Sequence, residues 1–366
     1  MEFISSKENR MRACIVIPLA LMGLFSVGGA DAMTNMQVKQ LAIAAYKGNT
    51  TDLAKLEAAA TSGDAAAQTE LGSYWYSKKN YAKTNYWYEK AAAQGNAWSE
   101  CYLGLAYYLG QGVPKDYAKA VYWYGKAADQ GNAWAELKLG LAYGIGQGVP
   151  KNYVKADYWL EKAADQGNAV AEHILGVAYA IGRGVPQNYA KADYWLEKAA
   201  DQGNADAEYS LGNAYHDGRG VPQNYAKADY WIEKAAAQGY ADAEFNLGIA
   251  YYNGLGVPKN HAKAVYWYEK AAAQRYAKAE YNLGLAYYNG LGVPRDYAKM
   301  NYWFEKAAAQ GYADAEFNLG LAYYKGQGVP RDYAKADYWW EKAAAHGDAK
   351  AEYNILHLEK LPISLN

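Results

Sequence analysis

The sequence has few of the residues from which active sites and disulfide frameworks are usually built. Its 366 residues include only 2 cysteines and 5 histidines. The cysteines, Cys14 and Cys101, are too few for a disulfide framework or a thiolate metal cluster. Because the histidines are scattered along the chain, the sequence indicates no catalytic residues, no metal ligands and no cofactor site. Most hydrolase and metalloenzyme classes are therefore disfavoured.

An excess of charge of one sign is also missing. The chain has 37 Lys and Arg against 38 Asp and Glu, a net charge of -1, which argues against a nucleic-acid binder. Hydrophobic residues make up 52% of the chain, but many of them are alanine or one of the 39 tyrosines, and the mean hydropathy is -0.41. Beyond the amino terminus no run is long and apolar enough for a span, so we expect no stable membrane insertion of the mature chain.

The first 32 residues follow the order of a secretory signal peptide. Basic residues at 7, 10 and 12 precede an apolar run from Ala13 to Ala30, and the small-residue site Ala30-Asp31-Ala32 follows. We therefore predict a signal peptide over 1–32, a mature terminus at Met33 and a periplasmic or secreted location. A retained membrane anchor is the alternative, but the run is short for a span and is interrupted by proline and glycine.

The rest of the chain is dominated by one repeated unit. Val-Pro recurs from Val113 to Val329 and Leu-Gly from Leu103 to Leu319, each in steps of 36 residues, and Leu71-Gly72 marks a shortened first unit. Such a fixed period is the signature of a repeat array. The units span 64–95, 96–131, 132–167, 168–203, 204–239, 240–275, 276–311 and 312–347.

Each unit contains two helix patterns. In 204–239, apolar and small residues at helical spacing predict helix A over about 205–215, and a second run predicts helix B over 225–238 with one Trp. Between them Gly-x-Gly-Val-Pro predicts a left-handed cap and a turn; a phosphate loop is the disfavoured reading. Neither helix can bury its apolar face alone, so stacking of the repeats is obligatory.

These patterns predict the fold class and its boundaries. We expect an all-α protein, an α/α solenoid superhelix of about eight 36-residue helix-turn-helix repeats with capping helices. Residues 33–63 contain a degenerate form of the helix pair and are the predicted N-terminal cap. The array covers 64–347, and 348–366 form a C-terminal capping helix and tail.

The unit Ala-x-Ala-Glu-x-x-Leu-Gly-x-x-Tyr-x-x-Gly-x-Gly-Val-Pro, with Lys-Ala-x-x-Trp-x-x-Lys-Ala-Ala-x-x-Gly after it, resembles the Sel-one-like repeat family over about 64–356. This family is a relative of the tetratricopeptide repeat. The resemblance implies a right-handed superhelix that serves as a non-enzymatic adaptor for protein complexes, often exported in bacteria. One exported branch has a disulfide in each unit, which this chain lacks. Arg275 stands where other units place Gly and predicts local loosening rather than a site.

By analogy with tetratricopeptide arrays, the variable positions of helix A line the concave face. In one unit these are Asp206, Tyr209, Asn213 and His216. Two of the positions carry rings in successive units. The candidate partner-binding residues are therefore Tyr209, Phe245, Tyr281, Phe317 and Tyr353 in one row, and Tyr252, Tyr288 and Tyr324 in the other.

Two interpretations of these rings stay open. They could form a continuous ladder in a groove that binds an extended or helical peptide. Alternatively, successive repeats could pack the rings against one another as filler. We expect an exported monomeric scaffold that binds a protein or peptide, the alternative being a cell-envelope protein that binds or acts on glycan or peptidoglycan.

The middle of the array is more polar. Asp206, Asn213, His216 and Asp217 fall in one unit, and His173 lies in the unit before. A metal site or an acid/base pair could be drawn from them, but a site needs several ligands that converge in space. We favour a solvated patch.

Overall fold

The structure is a computed structural model that describes residues 34–356. This part of the chain forms nineteen α-helices and no strand. The predicted signal peptide and the last ten residues lie outside the described residues. Between 34 and 356, no helix combines the length and apolar character that crossing a membrane requires.

The chain divides into two units. The first runs to Ala135 and includes Gln147–Val149, and the second comprises Glu136–Gly146 and continues from Pro150. The first unit contains α1 (Asn35–Tyr46), α2 (Thr50–Thr61), α3 (Ala65–Ser77), α4 (Tyr81–Ala92), α5 (Ala97–Leu109) and α6 (Tyr117–Asp129), and α7 (Ala133–Ile145) is divided between the two.

The second unit continues the alternation of helix A and helix B. Its helices are α8 (Tyr153–Asp165), α9 (Ala169–Ile181), α10 (Tyr189–Asp201), α11 (Ala205–Asp217), α12 (Tyr225–Ala237), α13 (Ala241–Asn253), α14 (His261–Ala273), α15 (Ala277–Asn289), α16 (Tyr297–Ala308), α17 (Ala313–Lys325), α18 (Tyr333–Ala345) and α19 (Ala349–Leu356). The prediction of two helices per repeat is confirmed, with helix A of 204–239 two residues longer than expected.

Local signals set the ends of these helices. Helix α11 ends at Gly218, which has a left-handed φ of 67° and donates its N–H to the carbonyl of Ala214. Helix α12 begins after Asn224, whose side-chain oxygen accepts the N–H of Lys227 at 3.0 Å. The predicted glycine cap is confirmed, and the asparagine supplies the N-cap of the next helix.

The Leu-Gly pair lets the two helices of a repeat approach closely. Leu211 is buried at 2% exposure, and a Cβ at Gly212 would lie 2.6 Å from the side chain of Ile232 on α12. At Gly248 a Cβ would lie 2.5 Å from the buried ring of Tyr268. Any larger residue at this position would force the partner side chain to shift, and that side chain is enclosed by the core.

The tryptophans of helix B join one repeat to the one before it. Trp195 packs in a cluster with Ala163 and Ala164 of α8, and Trp231 packs with Leu196 of α10. These two tryptophans are buried, and the others of the row are half-buried. The core is thus made of clusters that each combine successive repeats, as obligatory stacking requires.

At the amino end, α1 and α2 occupy the segment in which the sequence predicts a degenerate helix pair. Val38 and Ala42 of α1 and Leu56 of α2 share one cluster with Leu71 of α3. The pair is therefore packed on the first repeat, as an N-terminal cap would be.

Candidate functional site

In the second unit, hydrogen bonds join helix A of one repeat to helix A of the next at two junctions. The Tyr281 hydroxyl on α15 accepts a hydrogen bond from the Asn318 amide on α17 at 3.2 Å, and the Tyr209 hydroxyl on α11 accepts one from Asn246 on α13 at 3.1 Å. These bonds join helix A of one repeat directly to helix A of the next. We call the surface made by the variable helix A positions of this unit the A face.

One row of predicted rings, the inner row, is half-buried in the A face. It consists of Tyr209, Phe245, Tyr281 and Phe317. Phe245 packs beside the core of the following repeat, and its centroid lies 5.3 Å from that of Tyr276. Tyr281 lies 5.2 Å from Tyr312 in the same way. These rings contribute to repeat packing and expose only part of their surface, whereas Tyr353 on α19 is 58% exposed.

The partners of the inner row were not predicted from the sequence. Tyr240, Tyr276 and Tyr312 stand at the N-cap of helix A, where the first repeat has Asp64 and the next four have asparagine, and none of them makes a side-chain cap hydrogen bond. Each instead contacts an inner-row ring of the preceding repeat. The sequence does contain a signal for these partners. The helix A N-cap changes from asparagine to tyrosine in the repeat that follows the first inner-row ring.

The second predicted row, the outer row, is more open to solvent. Tyr252 is 38% exposed and Tyr288 is 37% exposed, while Tyr324 is half-buried. Each ring rests on the first residue of helix B in its own repeat. The centroid distances are 5.0 Å from Tyr252 to His261, 6.0 Å from Tyr288 to Tyr297 and 5.4 Å from Tyr324 to Tyr333.

The expected ladder differs from the observed contacts. The ring contacts of Tyr252 and Tyr288 run within a repeat, to helix B, and in the described part of the chain these two rings do not contact each other. Tyr252 and Tyr288 therefore stand as separate rings, one repeat apart. A partner would contact them one by one.

The polar patch in the middle of the array is local. The Nδ1 atom of His216 lies 2.9 Å from Asp217 Oδ1, and Arg219 pairs with the other oxygen of this carboxylate. These hydrogen bonds hold the pKa of Asp217 below its usual range. His173 contacts Ser210 at 3.4 Å instead. Among the described residues, no group of three or more His, Cys, Asp and Glu could hold a metal ion.

Three carboxylates lie at one register position of helix B, at Asp157, Asp193 and Asp229. Each has an Oδ2 atom that is buried without a hydrogen bond. Burial raises the pKa of each carboxyl to about 6. Elsewhere this position holds Asn85, whose amide donates to the loop carbonyl of Gln111 at 2.8 Å, and Asn301, whose amide donates to Gln327 at 2.7 Å.

A further aromatic row lies on helix B, outside the candidate residues that the sequence indicates. Its tyrosines are 50% to 58% exposed, and each contacts the tryptophan that follows it and the lysine four residues later. They are Tyr86, Tyr122, Tyr158, Tyr194, Tyr230, Tyr266, Tyr302 and Tyr338. The sequence prediction considered only positions that vary between units. It does not include this row, because the tyrosine is the same in every unit.

The same buried leucine, close glycine and capped loop thus return at each step of the chain. A family model, the Sel1 repeat, matches residues 65–96, 99–132, 135–168, 169–204, 205–240, 241–276, 277–312 and 313–348. The chain belongs to the Sel1 repeat family. The resemblance seen in the sequence is confirmed, and Sel1 repeat proteins generally serve as non-catalytic scaffolds in protein–protein interactions.

Two solved structures are similar to this Sel1 repeat chain. One is a protective antigen of uropathogenic Escherichia coli strains with an SLR fold, 35% identical, covering 84% of this chain and 68% of that chain with a TM-score of 0.79. The other is a Sel1 repeat protein from Oxalobacter formigenes, 34% identical, covering 95% and 99% with a TM-score of 0.67. The predicted α/α solenoid class is confirmed. No curated protein is significantly similar to the chain.

Proposed function

We propose that this Sel1 repeat protein is an exported scaffold that binds a segment of another protein on the A face of its second unit. The observation that carries the proposal is the outer row. Tyr252 and Tyr288 expose more than a third of their surface, yet each ring is supported by the first side chain of the following helix B. A supported aromatic ring loses little conformational entropy on binding and offers a large contact area.

The surroundings of the outer row suit a peptide. Leu285 is half-buried and lies one helical turn before Tyr288 on α15. Asn282 lies one turn before Leu285, so hydrogen-bonding and apolar groups alternate along this helix. An extended or helical segment needs both, because its backbone groups must keep hydrogen-bond partners when they lose water. The inner row, Tyr209, Phe245, Tyr281 and Phe317, contributes the exposed parts of its rings, and Tyr353 extends the surface onto α19.

Export is the second element of the proposal. It is supported by the signal-peptide pattern of residues 1–32, and by the similar Escherichia coli protein, which is described as a protective antigen. The proposed location is the periplasm or the exterior of the cell. The array itself acts as a monomeric, non-enzymatic binding surface.

A site-specific cross-linking experiment tests the binding face. A photoreactive phenylalanine analogue replaces Tyr288 on the A face in one variant and Tyr266 on helix B in a matched variant, since both side chains are exposed. Both proteins are irradiated in an envelope extract and with purified muropeptides. We expect a protein cross-link from position 288 and none from position 266. Equal labelling from both positions would contradict the A face, and labelling by muropeptides alone would favour the glycan alternative.

A further inference from the structure

One repeat junction departs from the others. At seven of the eight junctions helix B is followed by a glycine with positive φ. These glycines are Gly95, Gly131, Gly167, Gly203, Gly239, Gly311 and Gly347. At the remaining junction Arg275 adopts the same backbone, with a φ of 62°. A side chain in this left-handed region is strained, and such strain persists where the surroundings impose it.

Arg275 lies at the rim of an open cavity of about 420 Å³. The rest of the lining is two alanines of α14 and Ala309, the C-cap of α16; the polar and aromatic part is Arg275, Glu280, Tyr302, Trp303, Lys306 and Gln310. The volume is in the range of small-ligand sites. All of these residues belong to the second unit, and none of them is a variable helix A position, so the cavity is separate from the A face.

The charges in this cavity leave a cationic rim. Glu280 is 2% exposed, and its Oε2 accepts the amide of Gln310 at 2.6 Å. Neither Arg275 nor Lys306 forms an ion pair with another described side chain, and the Lys306 ammonium instead lies 5.2 Å from the Tyr302 ring centroid. Two cations therefore face one buried carboxylate, and the net charge of the site is positive.

We propose that this cavity binds the carboxylate end of a peptide whose last side chain is apolar. The carboxylate would be held between the Arg275 guanidinium and the Lys306 ammonium, since a guanidinium fits the two oxygens of a carboxylate. The apolar side chain would pack on Trp303 and Tyr302. Glu280 favours a singly charged group over a doubly charged phosphate, because a second negative charge would be repelled by the buried carboxylate.

The neighbouring repeat provides an internal comparison. Its junction has Tyr266, Trp267, Lys270 and Gln274 at the matching positions, but Gly239 in place of the arginine. A Cβ at Gly239 would meet no atom within 4 Å, so a longer side chain has room there. The arginine is thus the single feature that distinguishes the proposed site from its counterpart, and it can be removed or added.

The test measures by calorimetry the binding of a short N-acetylated peptide that ends in phenylalanine to the mature protein. We expect the free acid to bind with a stoichiometry of one, and amidation of its carboxylate to weaken binding by about tenfold or more. Arg275→Gly restores the ordinary junction and relieves strain, so it should keep the fold and lose affinity by a similar factor. Changing the terminal phenylalanine to serine should also weaken binding.

The converse variant, Gly239→Arg, asks whether the arginine is sufficient. With folding checked by its melting temperature, we expect a second equivalent of the free acid to bind. Equal affinity for acid and amide, unchanged affinity in Arg275→Gly, or no binding to the unaltered protein at millimolar peptide would each overturn the proposal. A phosphate-terminated peptide that binds more tightly than the acid would overturn the assignment of a carboxylate.

Discussion

The unpartnered carboxyl of Asp193 predicts that a neutral side chain there stabilises the protein in a pH-dependent way. Its Oδ2 is buried without a hydrogen bond and lies against Gly220 of the next repeat. At the same register position Asn85 and Asn301 donate to a loop carbonyl. An ionised carboxylate has no proton to donate, so Asp193→Asn should introduce this donor hydrogen bond, while the amide oxygen stays buried without a partner as it does in Asn85 and Asn301.

The direction of the pH effect follows from the raised pKa. Burial and the nearby Glu197 raise the pKa of Asp193 from 3.8 to about 6. The folded protein therefore binds this proton more tightly than the unfolded chain does. Stability from this group is fully present below the unfolded pKa and is lost as the pH rises toward 6 and beyond.

We expect Asp193→Asn to raise the free energy of unfolding by about 1–2 kcal/mol near neutral pH, in line with the effect of satisfying one buried polar group. Near about pH 4 the gain should nearly vanish, because the protonated carboxyl can donate the hydrogen bond itself. Urea denaturation at both pH values measures the difference. Asp337→Asn is the matched control, since Asp337 occupies the same register position but its oxygens are not among the buried groups without a hydrogen bond.

An equal gain at both pH values would refute this reasoning, because the effect would then not depend on ionisation. A loss of stability near neutral pH would also refute it. In that case the carboxylate would be ionised and satisfied in the folded protein.

Three other predictions concern packing and processing. Trp231→Ala should lower the free energy of unfolding by about 3–5 kcal/mol, since the side chain is buried between two repeats; the exposed Glu233→Ala is its control, and an unaltered melting curve would remove the packing role. Gly248→Ala should lower the free energy of unfolding by about 1–2 kcal/mol, because the overlap of the added methyl with the Tyr268 ring costs more than the higher helix propensity of alanine gains; a stabilised variant would disprove the close approach. Terminal sequencing of the exported protein should read Met33, and an intact Met1 would contradict cleavage.

Much of the fold was predictable because the repeats are nearly identical. The period fixed the helix pairs, and Gly218 and Asn224 mark a helix end and a helix start by local rules that operate without tertiary contacts. Leu211 and Trp231 were predictable core residues for the same reason, since a position that is apolar in every repeat must face a neighbouring helix.

The candidate site was less predictable because exposure depends on how repeats pack together. Phe245 and Tyr252 both vary between units, yet the first is half-buried against Tyr276 and the second is 38% exposed. Sequence spacing places both on helix A without giving their distance from the next repeat. The sequence predicts that Arg275 loosens its junction, but its place in the lining of a cavity depends on Tyr302 and Lys306, which lie beyond α15 on the next helix B.

The central claim is that the outer row binds a partner, and one triple variant tests it most directly. Tyr252, Tyr288 and Tyr324 are replaced together by alanine, and the control replaces Tyr230, Tyr266 and Tyr338, which are at least 50% exposed on helix B. Partner affinity is measured by titration with the protein that cross-links at position 288, after both variants are shown to melt as the unaltered protein does.

Each ring that becomes a buried anchor contributes about 1–2 kcal/mol or more, so the outer-row variant should lose about a hundredfold or more in affinity. The control should bind as the unaltered protein does. Unchanged affinity of a folded outer-row variant would contradict the account, and a collapsed melting temperature would show that these rings stabilise the repeats rather than bind a partner.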